Sequence, residues 1–347
     1  MTTTPVENLE SRQIDPTKPL LEVDDLVMRY QIKAGEVSAV EKVKFTVHQG
    51  EAVGLVGESG CGKTSVALSL LRLLPSNAEY VSGEIRLNGE DLLQLTDTEM
   101  RKRRWKEIAM VFQGAMNSWN PVYRVGDQIR ETLDTHYRGE MTYQEQREHM
   151  ERLFSAVGLP AEMLDRYPHE FSGGMRQRAV IAMALACSPQ LIIADEPTTA
   201  LDVIVQDQIL KELKRIQREL GMSIIYISHD IAVIAEVTDS IGVMYAGKLV
   251  EYGATHEVFA HPKHPYAYLL LKSTPSITGP RRQLAPLEGE PPDLLDPPTG
   301  CRFHPRCPFA TEKCVTDEPP LADIGGGHRV ACWNYEDVPD LEEALLR

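Results

Sequence analysis

The feature that most constrains this chain is the stretch Gly57-Glu58-Ser59-Gly60-Cys61-Gly62-Lys63-Thr64, set between the apolar run AVGLV and the apolar-rich run SVALSLLRLL. It fits GxxxxGK[ST] in the context that gives the pattern meaning, a predicted strand before it and a predicted helix, opening at Ser65, after it. Bare backbone at Gly57, Gly60 and Gly62 lets successive N–H groups, those of Ser59 and Cys61 among them, wrap phosphate oxygens at a helix N-terminus. Lys63 supplies positive charge to the β- and γ-phosphates of a nucleotide, and the Thr64 hydroxyl can ligate Mg2+.

Such a loop needs a second strand bearing an acid for the metal, and Leu191-Ile192-Ile193-Ala194-Asp195-Glu196 provides one. Asp195 at the strand end is expected to hold the Mg2+ shell, and Glu196 to polarise the attacking water as general base near the γ-phosphate. The run Pro197-Thr198-Thr199-Ala200-Leu201-Asp202 follows directly, which argues against a merely solvated acidic pair.

Around these motifs the pattern changes several times. After a polar extension over 1–20, residues 21–87 alternate as strands (LEVDDLVMRY, VKFTVHQGEAVGLVG, GEIRLNGE), a β-rich subdomain. Between about 96 and 180 the spacing turns helical, as in YQEQREHMERLFSAVGL. The later runs LIIADE, LKELKRIQREL and SIIYISH alternate buried strand and amphipathic helix, which predicts a parallel α/β domain reaching from 21 to 271. Prolines at 275, 280, 286, 291, 292, 297 and 298 break any regular element and mark 272–300 as a linker. It leads into a segment, 301–347, that holds four of the six cysteines.

Composition narrows the partners. A chain of 347 residues with 42% hydrophobic content can bury a sizeable core, and its net charge of −15 opposes nucleic-acid coating, which depends on clustered Lys and Arg. The one basic run, Arg101 to Lys106, is expected to be a solvated helix face. The longest apolar stretches, such as Ala179 to Cys187, fall well short of the ~20 residues that cross a bilayer, and the N-terminus does not read as a signal peptide. The expectation is a chain that stays in the cytosol.

A third motif lies upstream of the acidic strand: Phe171-Ser172-Gly173-Gly174-Met175-Arg176-Gln177-Arg178. A helix tip presenting Ser172 and the N–H groups of Gly173 and Gly174 suits a γ-phosphate. On this run the chain resembles the ATP-binding subunits of ABC transporters. FSGGMRQR departs from the commonest LSGGQ form at its first and last positions and is similar to the variant of dipeptide and oligopeptide importers. Asp195 follows Ser172 by 23 residues, room for one helix.

The resemblance implies a P-loop NTPase fold of the ABC ATPase kind: a β-rich ATP-binding subdomain, a helical subdomain and here a small irregular C-terminal cysteine module. It implies that two such subunits clasp two ATP molecules head to tail, each nucleotide bound by one phosphate loop and by Ser172, Gly173, Gly174 and Gln177 of the opposing subunit. It further implies that Gln113, after IAMVF, senses Mg2+ and the γ-phosphate; that Ala200-Leu201-Asp202 crosses the interface; that His229, after SIIYIS, contacts the γ-phosphate; and that Tyr30 stacks on adenine.

The same resemblance implies partners: a second, homologous but different ATPase subunit, two transmembrane permease subunits and an extracellular solute-binding protein, with this chain on the cytoplasmic face of the membrane. The stretch Gly114 to Val125 (GAMNSWNPVYRV) is expected to form the exposed surface that receives the permease. Gly114-Ala115 and Trp119 stand where family members usually carry Asp-Pro and Leu. Cys301, Cys307, Cys314 and Cys332 suit either Zn2+ or an iron-sulfur cluster, and their spacing alone does not decide. In the peptide-importer group a tail of this form implies a 4Fe-4S cluster with a structural or regulatory role. His261-Pro262-Lys263-His264-Pro265-Tyr266 resembles the HPYxxxLL segment that ends the ATPase core, and reads as structural.

Two other classes compete. Permease-free relatives carry two cassettes in one chain, a long coiled-coil insertion or basic surfaces, none of which is present here. An iron-sulfur interaction module with a degraded ATPase is opposed by the intact Lys63, Ser172, Glu196 and His229. Peptides are the expected cargo, with oligosaccharides or nickel as alternatives.

Overall fold

The computed structural model describes residues 12–199, 201–273 and 287–341. Ala200, most of the polar extension and part of the proline-rich linker lie outside them. The chain packs as two units. A strand-rich unit takes 19–47, 52–93 and the chain after 226, and a helix-rich unit takes 48–51, 94–226 and the residues before 19.

The strand-rich unit opens with β1 (Pro19–Ile32), β2 (Gly35–His48), β3 (Ala52–Val56), α1 (Lys63–Leu70), β4 (Ala78–Leu87) and β5 (Glu90–Asp91). β1 buries Leu20, Leu21, Val23 and Leu26 to Met28 and lies in a sheet of order β2-β1-β4-β5, antiparallel to β4 from Leu21↔Leu87 to Tyr30↔Ala78. All five residues of β3 are buried, as expected of a strand covered on both faces.

The helix-rich unit contains α2 (Asp97–Arg103), β6 (Ile108–Val111), α3 (Val125–His136), α4 (Tyr143–Ala156), α5 (Gly173–Ala184), β7 (Leu191–Asp195), α6 (Val203–Leu220) and most of β8 (Ser223–Ser228). Two of its helices start on reciprocal caps. Thr96 and Thr142 accept from the N–H groups of Glu99 and Glu145, whose carboxylates reach back to the threonine N–H. α3 and α4 bury Ile129, Leu133, Met150, Leu153 and Phe154, the apolar positions at three- and four-residue steps. In the basic run Arg101 and Lys102 are exposed, Arg103 pairs with Glu107, and Lys106 lies 4.2 Å over the Tyr137 ring.

The strand-rich unit resumes with α7 (Ile231–Val237), β9 (Ser240–Tyr245), β10 (Lys248–Ala254), α8 (Thr255–Ala260) and α9 (Pro265–Ser273), then α10 (Glu312–Thr316), β11 (Ala322–Asp323) and β12 (Arg329–Val330). β3 runs parallel to β9, from Val53↔Ser240 to Val56↔Val243. The β9–β10 hairpin closes through Ala246 and Gly247, both with positive φ, as a two-residue turn between twisted strands requires. β12 then adds antiparallel to β10 (Glu251↔Val330, Tyr252↔Arg329). The cysteine segment is thus built into the edge of the sheet that carries the phosphate loop.

Burial explains the HPKHPY segment. The carboxylate of Glu251, wholly buried, accepts from the N–H groups of Lys263 and His264 and pairs with His328 Nε2 at 2.7 Å. His264 Nδ1 accepts from the Tyr266 N–H, and burial drives the imidazole pKa down to about 3, so the ring is neutral and structural.

Candidate active site

In the strand-rich unit the chain leaves β3 at Gly57 and enters α1 at Lys63. Gly57 and Gly62 adopt φ of +149° and +105°, and a Cβ there would stand 2.1 Å from the Met244 carbonyl oxygen and 2.3 Å from that of Ala39. No other residue fits these two positions. A Cβ at Gly60 would meet nothing within 4 Å, so this part of the loop faces open space. The buried Lys63 ammonium donates to the carbonyls of Gly57 (2.6 Å) and Glu58 (3.0 Å), closing the loop on itself. Thr64 and Ser59 are exposed, Cys61 is buried, and the Tyr30 hydroxyl at the end of β1 lies 3.2 Å from Ser65 Oγ. His229, also exposed, directly follows β8.

In the helix-rich unit, β6 and β7 run parallel from Ile108↔Leu191 to Val111↔Ala194. This register brings Gln113, two residues past β6, level with Asp195 and Glu196 at the end of β7. Gln113 Nε2 donates to Glu196 Oε2 at 2.8 Å, and Thr199 Oγ1 donates to the same oxygen at 2.8 Å. Glu196 has φ of +46°, a left-handed conformation that costs a non-glycine residue about 1–3 kcal/mol and recurs where a side chain must be aimed. Asp195 is buried. Thr199 was not singled out by sequence reasoning; a hydroxyl three residues after the predicted base, in a turn, is the signal that could have found it.

Ser172 is the N-cap of α5, its Oγ accepting from the Met175 N–H at 3.3 Å, and Asp202 is the N-cap of α6, accepting from Val205 at 3.0 Å. A Cβ at Gly174 would come within 2.8 Å of Val205 Cγ1, so glycine there lets the first turn of α5 lie against that of α6. Gln177 is buried within the unit, whereas Ser172 and Asp202 are exposed.

One expectation needs correction. Trp119, read as part of an exposed receiving surface, is only 7% exposed and its indole N–H has no hydrogen-bond partner among the described residues. The exposed apolar side chains nearby are Phe112, Val122 and Tyr123. The Pro121 turn after Asn120 shifts exposure beyond the tryptophan.

The cysteines expected to hold a cluster come together in the structure. Cys301, Cys307, Cys314 and Cys332 are free thiols lining one cavity with His264, Phe303 and Trp333, yet among the described residues no group of three His, Cys, Asp or Glu side chains is arranged to hold a metal ion. Burial raises the thiol of Cys301 and pushes Cys307 up to about 11 and Cys332 to about 12. Cys332 and Cys314 sulfurs lie 3.4 Å from the Asn334 N–H and 3.7 Å from its side-chain amide.

Two families of known proteins match this chain. Residues 40–199 match the ABC transporter family, and residues 250–314 match the oligopeptide/dipeptide transporter C-terminal region. The chain belongs to the ABC transporter ATP-binding proteins and is an ATPase of that class. Within it, the oligopeptide transport ATP-binding protein OppD of Haemophilus influenzae is 44% identical over 91% of this chain and 97% of its own length. The dipeptide transport ATP-binding protein DppD of Bacillus subtilis is 44% identical over 90% of this chain and 94% of its own. A dimeric post-hydrolysis structure of the ATP-binding cassette MJ0796, bound to ADP and Pi, covers 68% of the chain with a TM-score of 0.61 at 27% identity.

Proposed function

We propose that the chain energises uptake of di- or oligopeptides, hydrolysing ATP as one of a pair of such subunits on the cytoplasmic face of a two-subunit permease fed by an extracellular solute-binding protein. The observation that carries the chemistry is the Gln113–Glu196 hydrogen bond at the aligned ends of β6 and β7, with Thr199 on the same oxygen. These two donors orient the carboxylate that takes a proton from the attacking water. The loop from Gly57 to Thr64 holds the phosphates, with Lys63 turning from the loop carbonyls to the phosphate oxygens. Thr64, Gln113 and Asp195 would hold Mg2+, which when bound neutralises phosphate charge.

Tyr30 stacks on the base, and His229 steadies the γ-phosphate. Ser172, Gly173 and Gly174 at the tip of α5, with Gln177 behind them, complete the partner subunit's nucleotide, and Asp202 lies at the seam. Val122 and Tyr123, 71% and 57% exposed, offer the permease an apolar contact. The peptide cargo rests on the names of the OppD and DppD relatives. The test is MgATP-driven uptake in vesicles containing this chain and the membrane proteins that co-purify with it. Labelled tripeptide should accumulate; uptake of oligosaccharide or Ni2+ instead would reassign the cargo, and absence of hydrolysis would overturn the whole reading.

A second reading concerns the tail. Four thiols line one cavity, with Asn334 amide groups directed at two of the sulfurs, and a 4Fe-4S cluster is the ligand proposed for them. Anaerobic purification should yield a brown protein containing iron and acid-labile sulfide. A colourless, zinc-loaded chain would end this reading.

A further inference from the structure

The phosphate loop contains a carboxylate. Glu58 is the second residue of a segment whose task is to surround a polyanion, and a negative charge there opposes binding unless something cancels it. The structure supplies the counter-charge from 248 positions away. Arg306 meets Glu58 in a two-pronged pair, Nη1 to Oε2 at 2.8 Å and Nη2 to Oε1 at 3.1 Å, the fork geometry that makes arginine–carboxylate pairs strong and directional.

The guanidinium is itself fixed. Its Nε donates to the Glu288 carbonyl at 2.9 Å, Nη1 lies 3.3 Å from the Tyr245 hydroxyl, and its side chain is 5% exposed against 26% for Glu58. Glu58 is also held by its backbone, the N–H donating to Tyr266 Oη at 2.9 Å and the carbonyl accepting from Lys63 Nζ at 3.0 Å. A second arginine of the same short loop, Arg302, reaches the other flank. It is buried, donates to the Ala246 carbonyl and to Ser38 Oγ, and so braces the turn whose Gly247 N–H donates to the Cys61 carbonyl at 2.9 Å. Both arginines lie between Cys301 and Cys307, each next to a cysteine.

We propose that Arg306 is a positioning residue of the ATP site, a cation delivered by the cysteine segment that cancels Glu58 and sets the phosphate loop for the nucleotide triphosphate. This rests on the reading that residues 57–64 hold the phosphates. The cysteine segment is then a part of the nucleotide site, and anything that disorders the loop between Cys301 and Cys307 is felt at the phosphates.

The test is titration of the full chain with a non-hydrolysable ATP analogue and Mg2+, alongside steady-state kinetics. Arg306→Ala should weaken binding about tenfold, raising KM far more than it lowers kcat, because Glu58 is left charged and unpaired. Glu58→Gln should bind at least as tightly as the wild type, and Glu58→Gln/Arg306→Ala should return to within about twofold of it. A general loss of packing cannot be rescued by removing Glu58, so a double variant as weak as Arg306→Ala would overturn the inference. If Arg306→Ala fails to fold, Glu58→Gln decides: a tenfold weakening there refutes the proposal. Lys63→Ala separates the two readings, since wild-type binding by that variant would remove the phosphate-loop assignment itself.

Discussion

Glu196→Gln isolates proton abstraction from everything else the Glu196 side chain does. In the native chain two donors, Gln113 Nε2 and Thr199 Oγ1, each lie 2.8 Å from one carboxylate oxygen. Glutamine keeps a carbonyl oxygen in that place, so both hydrogen bonds persist and only their charge assistance is lost, about 1 kcal/mol at a half-buried site. Its backbone preference at the left-handed φ of +46° is like that of glutamate, so no new strain arises. What disappears is the basic oxygen, and removing a positioned general base costs about 10²- to 10⁴-fold in rate, or roughly 3–5 kcal/mol of barrier. Phosphate release under saturating MgATP should fall by that factor while nucleotide affinity changes less than threefold. Size-exclusion chromatography with MgATP and the partner subunit should then show a long-lived two-subunit species, since bound nucleotide is no longer consumed. Hydrolysis within tenfold of the wild type would refute the assignment of Glu196 as base, and an equal loss of affinity and rate would show that the substitution had disturbed binding.

Three further outcomes follow from the geometry. Ser172→Ala removes the N-cap of α5, whose Oγ accepts from the Met175 N–H, and should cost about 1 kcal/mol in urea denaturation while abolishing the MgATP-induced pairing of subunits; pairing at wild-type strength would separate the cap from any role at the interface. Tyr123→Ser, at an exposed position, should uncouple hydrolysis from transport in vesicles with unchanged stability, whereas Trp119→Ala, at a buried one, should lower the unfolding midpoint; the opposite pattern would restore Trp119 as the contact residue. His149 on α4 is buried with Nε2 2.8 Å from the Ala186 carbonyl oxygen, and burial lowers its pKa below 6.5. A depressed folded pKa gives stability that is complete above the unfolded value and is lost as pH falls below it, so stability should drop from pH 7 to 5 by up to about 1.4 kcal/mol per unit from this group, and His149→Gln should flatten the slope. Parallel curves for the two proteins would exclude His149 as the titrating group.

The parts of this chain legible in its sequence are those in which function acts through local backbone. Gly57 and Gly62 stand out because a neighbouring carbonyl excludes any Cβ, and an all-apolar strand and an apolar-rich helix flank them. The threonine caps at 96 and 142 are equally local, with both halves of the interaction in four consecutive residues, but they emerged only with the structure. What the sequence hid depends on distance along the chain. Trp119 looks like a binding aromatic in a loop of low periodicity, and only packing shows it turned inward while Val122 and Tyr123 face solvent. Likewise, Cys301 to Cys332 read as a separate module because prolines precede them, yet β12 pairs with β10, and Arg306 reaches Glu58 across most of the chain. A carboxylate inside an anion-binding loop was the one clue that a remote cation had to exist; locating it required the sheet edge that brings residue 306 beside residue 58. Electrostatic mismatch within a motif is therefore a better guide to long-range partners than composition of the distant segment, since the mismatch states what charge must arrive even where spacing cannot say from where.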